Sequence, residues 1–171
     1  NYAEVYNNLG VVFQSQGKCD EAIQVYDKSI LLKSDYAEAY NNKGALLQEL
    51  GKFDEAMESL NKSISLKPDY ADAYNNIGLT LQSKNKLSGA IEAYNKSISL
   101  KPDFAEAHHN LSLTLLNSGR LKEGLEQYEW RWKTNKFLGQ KRKFLQPLWD
   151  GKQRLNGKRI LLWCEQGVGD T

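Results

Sequence analysis

Several residue types are scarce in this sequence, and their scarcity excludes several classes of protein. The 171 residues include only two cysteines, and Cys19 and Cys164 stand far apart. This pair resembles neither a disulfide framework nor a metal-ligand cluster, so the chain needs no oxidising compartment and we expect no bound metal or cofactor. With 40% hydrophobic and 26% charged residues, the composition also excludes a disordered or collagen-like chain.

The sequence also lacks a dominant charge and a long hydrophobic run. Lys and Arg number 23 against 21 for Asp and Glu, a formal net charge of +2, so the whole molecule has no strong attraction to nucleic acid or anionic lipid. The longest apolar run, Ile160 to Cys164, is far too short to span a bilayer. No signal-peptide pattern is found at the start. We therefore expect a cytoplasmic protein that does not enter the membrane.

What the sequence does contain is a segment that recurs every 34 residues. Residues 3–10 read Ala-Glu-Val-Tyr-Asn-Asn-Leu-Gly, and related octets begin at Ala37, Ala71 and Ala105. Such a period is the signature of a repeat architecture. We predict four units within residues 1–136, at 3–36, 37–70, 71–104 and 105–136. Because the chain begins inside a unit, we expect a fragment of a longer protein.

Within each unit, apolar residues at helical spacing predict two helices. In the second unit, Gly51 turns the chain between them and Pro68 ends the second helix. An aspartate precedes each following first helix and stands three residues before an acidic residue, which predicts that its carboxylate caps the helix. These aspartates are Asp35, Asp69 and Asp103.

Small residues recur where the two helices of a unit must pack closely: Gly10, Gly44 and Gly78 on the first helix, and Ala22, Ala56 and Ala90 on the second. This pattern resembles the tetratricopeptide repeat. The resemblance implies an all-α fold, a right-handed superhelical α-solenoid of four helix-turn-helix units with a short non-repeat tail. One unit cannot bury its own apolar faces, so the units must stack.

In this family the first helices line the inner groove, and here they carry a repeated set of side-chain amides. Numbering each unit from its first alanine, the groove stripe comprises the second, fifth, sixth, ninth, twelfth and thirteenth positions. A carboxamide can donate and accept, so a row of them suits an extended backbone of loosely specified sequence. The sixth position holds Asn8, Asn42, Asn76 and Asn110; the fifth holds Asn7, Asn41, Asn75 and His109; the twelfth holds Gln14, Gln48 and Gln82, with Leu116 in the fourth unit.

The amide row is similar to that of the tetratricopeptide arm of O-linked N-acetylglucosamine transferase, where groove asparagines grip acceptor polypeptides. A competing interpretation is that these asparagines bridge neighbouring helices or keep a solvated face polar. The second position is acidic in every unit, as Glu4, Glu38, Asp72 and Glu106. That excludes the cationic clamp with which some tetratricopeptide domains hold a C-terminal carboxylate, and it favours ligands that carry Lys or Arg.

Two other patterns have structural explanations. The adjacent His108 and His109 point about 100° apart on a helix and cannot easily share a metal ion, and His108 fills the slot of Tyr6, Tyr40 and Tyr74. Residues 131–143 hold six basic residues and no acid, interleaved with aromatics. Such a segment can hold single-stranded nucleic acid, but the favoured interpretation is a solvated helix end whose aromatics cap the solenoid. Arg131 would obstruct a fifth identical unit.

Beyond the repeats, we predict a capping helix or linker over 137–157, then a buried strand and a glycine-rich loop over 158–171. With Tyr128 to Trp132 and Pro147 to Gly151, this end resembles the junction in bacterial proteins that fuse tetratricopeptide repeats to a two-lobed glycosyltransferase domain. The resemblance implies that Asp170 serves as a base in an intact parent. The chain itself lacks the rest of such a domain, so we expect no catalysis by it.

The favoured function is binding of an extended polypeptide in the concave groove, as the substrate-recruiting arm of a larger glycosyltransferase. An alternative is a scaffold for self-association, for example through the C-terminal tail, or for positioning a catalytic domain, with an empty groove. The least favoured hypothesis is single-stranded nucleic-acid binding by the basic segment.

Overall fold

The structure, a computed structural model, describes residues 2–134. The predictions for 137–157 and 158–171, including Asp170, lie outside these residues. The described part folds into α-helices followed by one 3-10 helix, Glu129–Lys133. The α-helices are α1 (Tyr2–Ser15), α2 (Cys19–Leu32), α3 (Ala37–Glu49), α4 (Phe53–Leu66), α5 (Ala71–Ser83), α6 (Leu87–Leu100), α7 (Ala105–Asn117) and α8 (Leu121–Tyr128).

The helices form four consecutive pairs, each an α-helix packed on the next one in the chain. Each second helix also packs on the first helix of the following unit. The first helices α1, α3, α5 and α7 contact one another in sequence, whereas within residues 2–134 the second helices do not. The first helices therefore lie on the tighter, inner side of the stack. This arrangement confirms the predicted all-α solenoid of helix pairs.

The turn inside each unit depends on a residue with positive φ. Gly17, Gly51 and Gly119 have φ values of 74°, 74° and 81°, and Asn85 takes the same place in the third unit at 56°. At Gly51 the turn closes with two backbone bonds, from Gly51 N to Gln48 O at 3.0 Å and from Lys52 N to Leu47 O at 2.9 Å. These bonds satisfy carbonyls that the end of α3 would otherwise leave unpaired.

The predicted aspartate caps are wrong. The residues at the N-cap positions of α3, α5 and α7 are Tyr36, Tyr70 and Phe104, and none makes a side-chain capping bond. At the first of these junctions the chain makes a turn before the helix, in which Tyr36 N donates to Lys33 O and Ala37 N donates to Asp35 O. The aspartate thus lies one residue too early to cap, because the turn displaces the start of the helix.

Within a unit, the two helices meet at the small residues that the sequence singles out. Ala22, Ala56 and Ala90 are fully buried. A Cβ added at Gly44 would lie 2.7 Å from Leu60 Cγ and 3.3 Å from the backbone oxygen of Ala56. Each of the first three pairs is also joined by a buried serine hydroxyl, which donates to a carbonyl in the first turn of the partner helix. These bonds run from Ser29 to Ala3, from Ser63 to Ala37 and from Ser97 to Ala71.

The fourth unit departs from the pattern at the residue that the sequence predicts. The regular second helix ends at Tyr128, and Arg131 takes the place of the buried serine. Arg131 is itself buried, with its guanidinium 4.2 Å from the ring of Tyr128 and 4.4 Å from that of Trp132. Its Nη1 donates to the backbone oxygen of Tyr128 at 3.0 Å. A group packed in this way does not offer its charge freely to nucleic-acid phosphates.

His108 has the packing role expected for it. Its ring stacks on Trp130 with 3.8 Å between centroids, and its nitrogens lie 2.6 Å from Gln127 Oε1 and 2.9 Å from the backbone oxygen of Pro102. Cys19 is half-buried beside the core of the first unit. Among residues 2–134, no cluster of His, Cys, Asp and Glu could hold a metal ion. None of the helices described here has the length and apolar character needed to cross a membrane.

Candidate functional site

The first helices of the first three units enclose a polar groove. A cavity of about 420 Å³ lies between α1, α3 and α5. Nine of its ten lining residues occupy the six stripe positions that the sequence assigns to the groove. The lining consists of Val11, Gln14, Ser15, Tyr26, Asn41, Asn42, Ala45, Asp72, Asn75 and Asn76.

The asparagines of the sixth position remain accessible from the groove. Asn8 is exposed, and Asn42, Asn76 and Asn110 are half-buried. The asparagines of the fifth position differ, because Asn7, Asn41 and Asn75 are only 6%, 5% and 7% exposed. His109, the fifth-position residue of the last unit, is half-buried with its ring 5.9 Å from that of Tyr128. The sixth-position asparagines are therefore accessible to solvent, whereas the fifth-position asparagines are buried.

A hydrogen bond joins the two rows at every junction between units. Asn42 Nδ2 donates to Asn7 Oδ1 at 3.0 Å, and Asn76 Nδ2 donates to Asn41 Oδ1 at 2.9 Å. Asn110 Nδ2 donates to Asn75 Oδ1 at 3.0 Å. Asn41 Nδ2 also donates to Asn42 Oδ1 at 3.3 Å. Part of the amide row thus bridges neighbouring units, as the competing interpretation proposes.

The bridging does not use all the capacity of the sixth-position amides. A carboxamide has two N–H donors and an oxygen with two lone pairs. Asn76 and Asn110 each use one N–H in the bonds described, and Asn42 uses one N–H and accepts one bond. Each of these side chains retains a second N–H and at least one acceptor site for a molecule in the groove.

The twelfth-position glutamines mostly bond within the protein. Tyr26 Oη donates to Gln14 Oε1 at 3.1 Å and Tyr94 Oη donates to Gln82 Oε1 at 2.9 Å. Gln14 Nε2 also donates to Glu49 Oε2 at 3.0 Å. In the second unit, Leu60 replaces the tyrosine, and Gln48 Nε2 instead lies 3.5 Å from Ser83 Oγ.

Tyr26 is the lining residue that the stripe positions miss, because it comes from a second helix. Its pKa is raised to about 12, first because burial disfavours the phenolate and then because Glu49 is near. The signal that could have found it is the alternation of Tyr26, Leu60 and Tyr94 at one position of the second helix, opposite the glutamines.

Acidic side chains follow one side of the stripe. Lys67 Nζ lies 3.1 Å from Glu38 Oε1. Partial burial alone would raise the pKa of Glu38, but the hydrogen bond from Lys67 and the charges of Lys67 and Lys33 outweigh it, so the pKa lies below its usual value. Glu38 is therefore ionised at neutral pH. Glu38 is paired with Lys67 and lies outside the cavity lining. Asp72 is the acidic residue in that lining, and no Lys or Arg accompanies it, so the lining carries negative charge.

Comparisons with known proteins agree with the helix-pair architecture. A family model described as "Tetratricopeptide repeat" matches residues 1–69, and one described as "TPR repeat" matches residues 81–119. No curated protein sequence matches the chain.

Among solved structures, a crystal structure of MamA is 31% identical, with a TM-score of 0.68 and 78% of each chain covered. The first TPR of Spaghetti (RPAP3) bound to the HSP90 peptide SRMEEVD is 27% identical, with a TM-score of 0.66, and the match covers 69% of this chain and 94% of that one. The O-GlcNAc transferase of Thermobaculum terrenum, as a K341M mutant, is 22% identical with a TM-score of 0.65, over 67% of this chain and 22% of that one. This last likeness concerns the fold alone.

Proposed function

We propose that this chain, a protein-interaction module that belongs to the tetratricopeptide repeat family, binds an extended polypeptide in the groove of its first helices. The observation that carries the proposal is the cavity of about 420 Å³ between α1, α3 and α5, lined by carboxamides from successive units. A polypeptide backbone presents one donor and one acceptor per residue. The free N–H and oxygen sites of the sixth-position amides complement both.

The contact with a ligand is assigned to the sixth position. Asn8, Asn42, Asn76 and Asn110 are accessible and keep unused hydrogen-bonding capacity. Asn7, Asn41 and Asn75 are buried and commit their oxygens to the next unit. The glutamines contribute less than the sequence predicts, because Gln14 and Gln82 commit their oxygens to tyrosine hydroxyls.

The test uses a fluorescein-labelled peptide of four Gly-Ser-Lys-Ala repeats, with affinity measured by fluorescence anisotropy. We expect the double variant Asn42→Ala/Asn76→Ala to bind at least about fivefold more weakly, since each net hydrogen bond contributes about 1 kcal/mol. The matched control is Asn61→Ala/Asn95→Ala, which removes two exposed amides from second helices. Equal affinity of both double variants, or no binding by the unaltered chain, would refute the proposal.

Because Asn42 and Asn76 also bridge units, a second variant separates binding from stability. Asn8 is exposed and makes no hydrogen bond in the structure to another described side chain. Asn8→Ala should therefore leave the melting temperature equal or slightly higher, since alanine has the better helix propensity, while it weakens peptide binding. Thermal unfolding followed by circular dichroism checks the first point, and anisotropy checks the second.

The charge of the groove points to neutral or basic ligands. The related RPAP3 domain was solved with the peptide SRMEEVD, which carries three acidic residues, whereas the cavity here is lined by Asp72 and by no Lys or Arg. Like charges across an interface disfavour binding. We expect SRMEEVD to bind more weakly than the Gly-Ser-Lys-Ala peptide at low salt, with the difference shrinking as salt is added.

The finer role that we propose is recruitment of acceptor polypeptides for a glycosyltransferase domain. It is supported by the resemblance of the C-terminal sequence to the junction of repeat and transferase in such fusion proteins. The test is to read the coding sequence that follows Thr171 and to assay the protein that it encodes. A continuation into a two-lobed domain whose activity on a groove-binding peptide falls in the Asn42→Ala/Asn76→Ala variant supports the role; unchanged activity refutes it.

A second candidate function, self-association, is favoured by the outer face of α1. Tyr2, Val5 and Val12 are 79%, 60% and 48% exposed. The equivalents of Val5 in later units, such as Ala39, are fully buried, and the first helices that carry them pack against the preceding second helix. Sedimentation velocity over a range of concentrations tests this function. A concentration-dependent dimer that Val5→Lys/Val12→Lys abolishes and Leu31→Lys retains supports it, and a monomer throughout rejects it.

A further inference from the structure

We infer that the fifth-position asparagines, Asn7, Asn41 and Asn75, are positioning residues that orient the amides contacting the ligand. The inference rests on the proposed function and assigns a distinct task to a row that the sequence counts among the binding residues. These side chains lie on the same helices as the sixth-position row. They are only 6%, 5% and 7% exposed, and Asn7, unlike Asn41 and Asn75, is not among the residues that line the cavity. Their main route to a bound polypeptide is therefore through Asn42, Asn76 and Asn110.

The first step of the argument is the regularity of the contact. Each of the three junctions between first helices has one amide-to-amide bond of 2.9 to 3.0 Å between residues 35 apart. In every case the sixth-position nitrogen donates and the fifth-position oxygen of the preceding unit accepts. Because the bond has the same direction at each junction, it gives the sixth-position amide the same orientation in each unit.

The second step concerns the two-fold ambiguity of a carboxamide. Rotating the amide by 180° exchanges its N–H edge and its oxygen, and an unpaired amide in a groove adopts both orientations. The bond at the unit junction reduces this ambiguity, because the N–H edge of the sixth-position amide faces the fifth-position oxygen and reversing it requires both amides to rotate together. The oxygen is then directed away from the junction in every unit. A ligand consequently meets the same order of donor and acceptor along the groove.

The third step is that the bonds are linked. Asn76 donates to Asn41, Asn41 donates to Asn42, and Asn42 donates to Asn7, so three consecutive bonds connect α5, α3 and α1. Linked hydrogen bonds polarise one another. The orientation of one amide thus depends on its neighbours. Pre-orientation lowers the entropy lost when a ligand binds, because the amides need not be ordered at that moment.

The experiment is a double-mutant cycle on affinity for the labelled Gly-Ser-Lys-Ala peptide. Asn7→Leu removes the acceptor with little change in volume, and we expect it to weaken binding about three- to fivefold, on the scale of one hydrogen bond. In a chain that already carries Asn42→Ala, the same substitution should have no further effect, because Asn7 acts through Asn42. Equal losses in both backgrounds would overturn the inference.

Two controls separate positioning from folding. Asn7→Asp keeps an acceptor for Asn42 Nδ2 and should restore most of the affinity at neutral pH. Asn95→Leu makes the matched amide-to-leucine change on the exposed side of α6 and should bind normally. A general structural defect of Asn7→Leu would instead appear as a loss that neither Asp nor the Asn42→Ala background removes.

A ligand-free measurement keeps the inference distinct from the proposed function. In nuclear magnetic resonance spectra, we expect dispersed side-chain amide proton shifts and slow exchange with solvent for Asn42 in the unaltered chain. In Asn7→Leu we expect shifts nearer those of a free asparagine and faster exchange with solvent, while the two protons stay separate because rotation about the amide C–N bond is slow. If the peptide fails to bind the unaltered chain, the proposed function is wrong, while these resonances still test the orientation. If they are the same in both proteins, the positioning role is wrong even when the peptide binds.

Discussion

Gly44 is the residue at which the two helices of the second unit come closest. A Cβ there would lie 2.7 Å from Leu60 Cγ. Leu60 is fully buried, so it could move away only by displacing its neighbours. Leu60 itself packs with Ile77 and Ala93 of the next unit. A single added carbon would therefore disturb two units.

We predict that Gly44→Ala lowers the free energy of unfolding by about 1–3 kcal/mol, the cost of overpacking a core. Gly89→Ala is the matched control, since Gly89 lies within α6 and its added Cβ would approach only the terminal side-chain carbon Cδ1 of Leu81, at 3.3 Å. There the better helix propensity of alanine, up to about 1 kcal/mol, should leave stability equal or higher. Urea unfolding checks both, and similar effects of the two substitutions would contradict the prediction.

The buried tyrosines predict that the folded state loses stability at alkaline pH. The pKa values of Tyr26 and Tyr70 are raised to about 12, first by burial and then by nearby carboxylates, Glu49 for Tyr26 and Asp72 for Tyr70. The unfolded chain ionises near the ordinary pKa of about 10. Above that pH the unfolded state loses protons that the folded state keeps, so stability is full below about pH 10 and falls between about pH 10 and 12.

We expect Tyr26→Phe to reduce the steepness of this loss, by about 1.4 kcal/mol per pH unit within the window. At neutral pH the variant loses the hydrogen bond to Gln14 and should be slightly less stable. Chemical unfolding at pH 8, 10 and 11 provides the measurement. An unchanged pH dependence would show that Tyr26 ionises as easily in the folded chain as in the unfolded one.

At the scale of the element, the turns between paired helices are the places where one backbone angle decides the structure. Three units use glycine at positive φ, and the third uses Asn85. Asparagine tolerates this left-handed region better than most residues with a side chain. The four turns are therefore equivalent in conformation but unequal in strain.

We predict that Gly51→Ala destabilises the chain by about 1–2 kcal/mol, the penalty for a Cβ in the left-handed region. No atom lies within 4 Å of the added Cβ, so the penalty is conformational rather than steric. The companion substitution Asn85→Gly should change stability by less than about 1 kcal/mol, because relief of strain opposes the extra entropy of glycine when unfolded. Thermal unfolding of both variants checks this, and an unaffected Gly51→Ala would rule out the explanation.

The same elements show which parts of the fold a sequence can predict. The 34-residue period places the starts of α3, α5 and α7 at Ala37, Ala71 and Ala105, because local periodicity and turn residues decide them. The capping prediction fails because a backbone turn shifts the helix start by one residue beyond Asp35. The inter-unit bonds of Asn42 and Asn76 also escape a local pattern, since their partners lie 35 residues away. The sequence predicts which side chains line the groove. Only the stacked structure distinguishes the asparagines that stay accessible from those that bond to the next unit.

At the scale of the whole molecule, stability is a sum over units and their junctions. The second and third units are covered on both sides, whereas α1 leaves Tyr2, Val5 and Val12 exposed on its outer face. Opening an inner unit therefore breaks packing contacts with two neighbouring units, whereas opening α1 breaks contacts on one side. Their helices should unfold at a higher free energy than α1.

We predict that amide hydrogens of α3 and α5 exchange more slowly than those of α1 by at least tenfold, a difference of about 1.4 kcal/mol in opening free energy. Hydrogen exchange followed by mass spectrometry, with peptides assigned to single helices, measures this. Equal protection of α1 and α3 would mean that the chain opens as one cooperative unit or that another molecule covers α1.

The amide bonds between units all run the same way, each donor lying on the later first helix and each acceptor on the earlier one. A polypeptide also has a sense, since its N–H and C=O groups are ordered from one terminus to the other. The groove therefore distinguishes the two directions in which a polypeptide can bind. The dipoles of the groove amides align with those of the bound backbone in one direction and oppose them in the other. A binding partner that satisfies these amides therefore has one preferred direction along the groove.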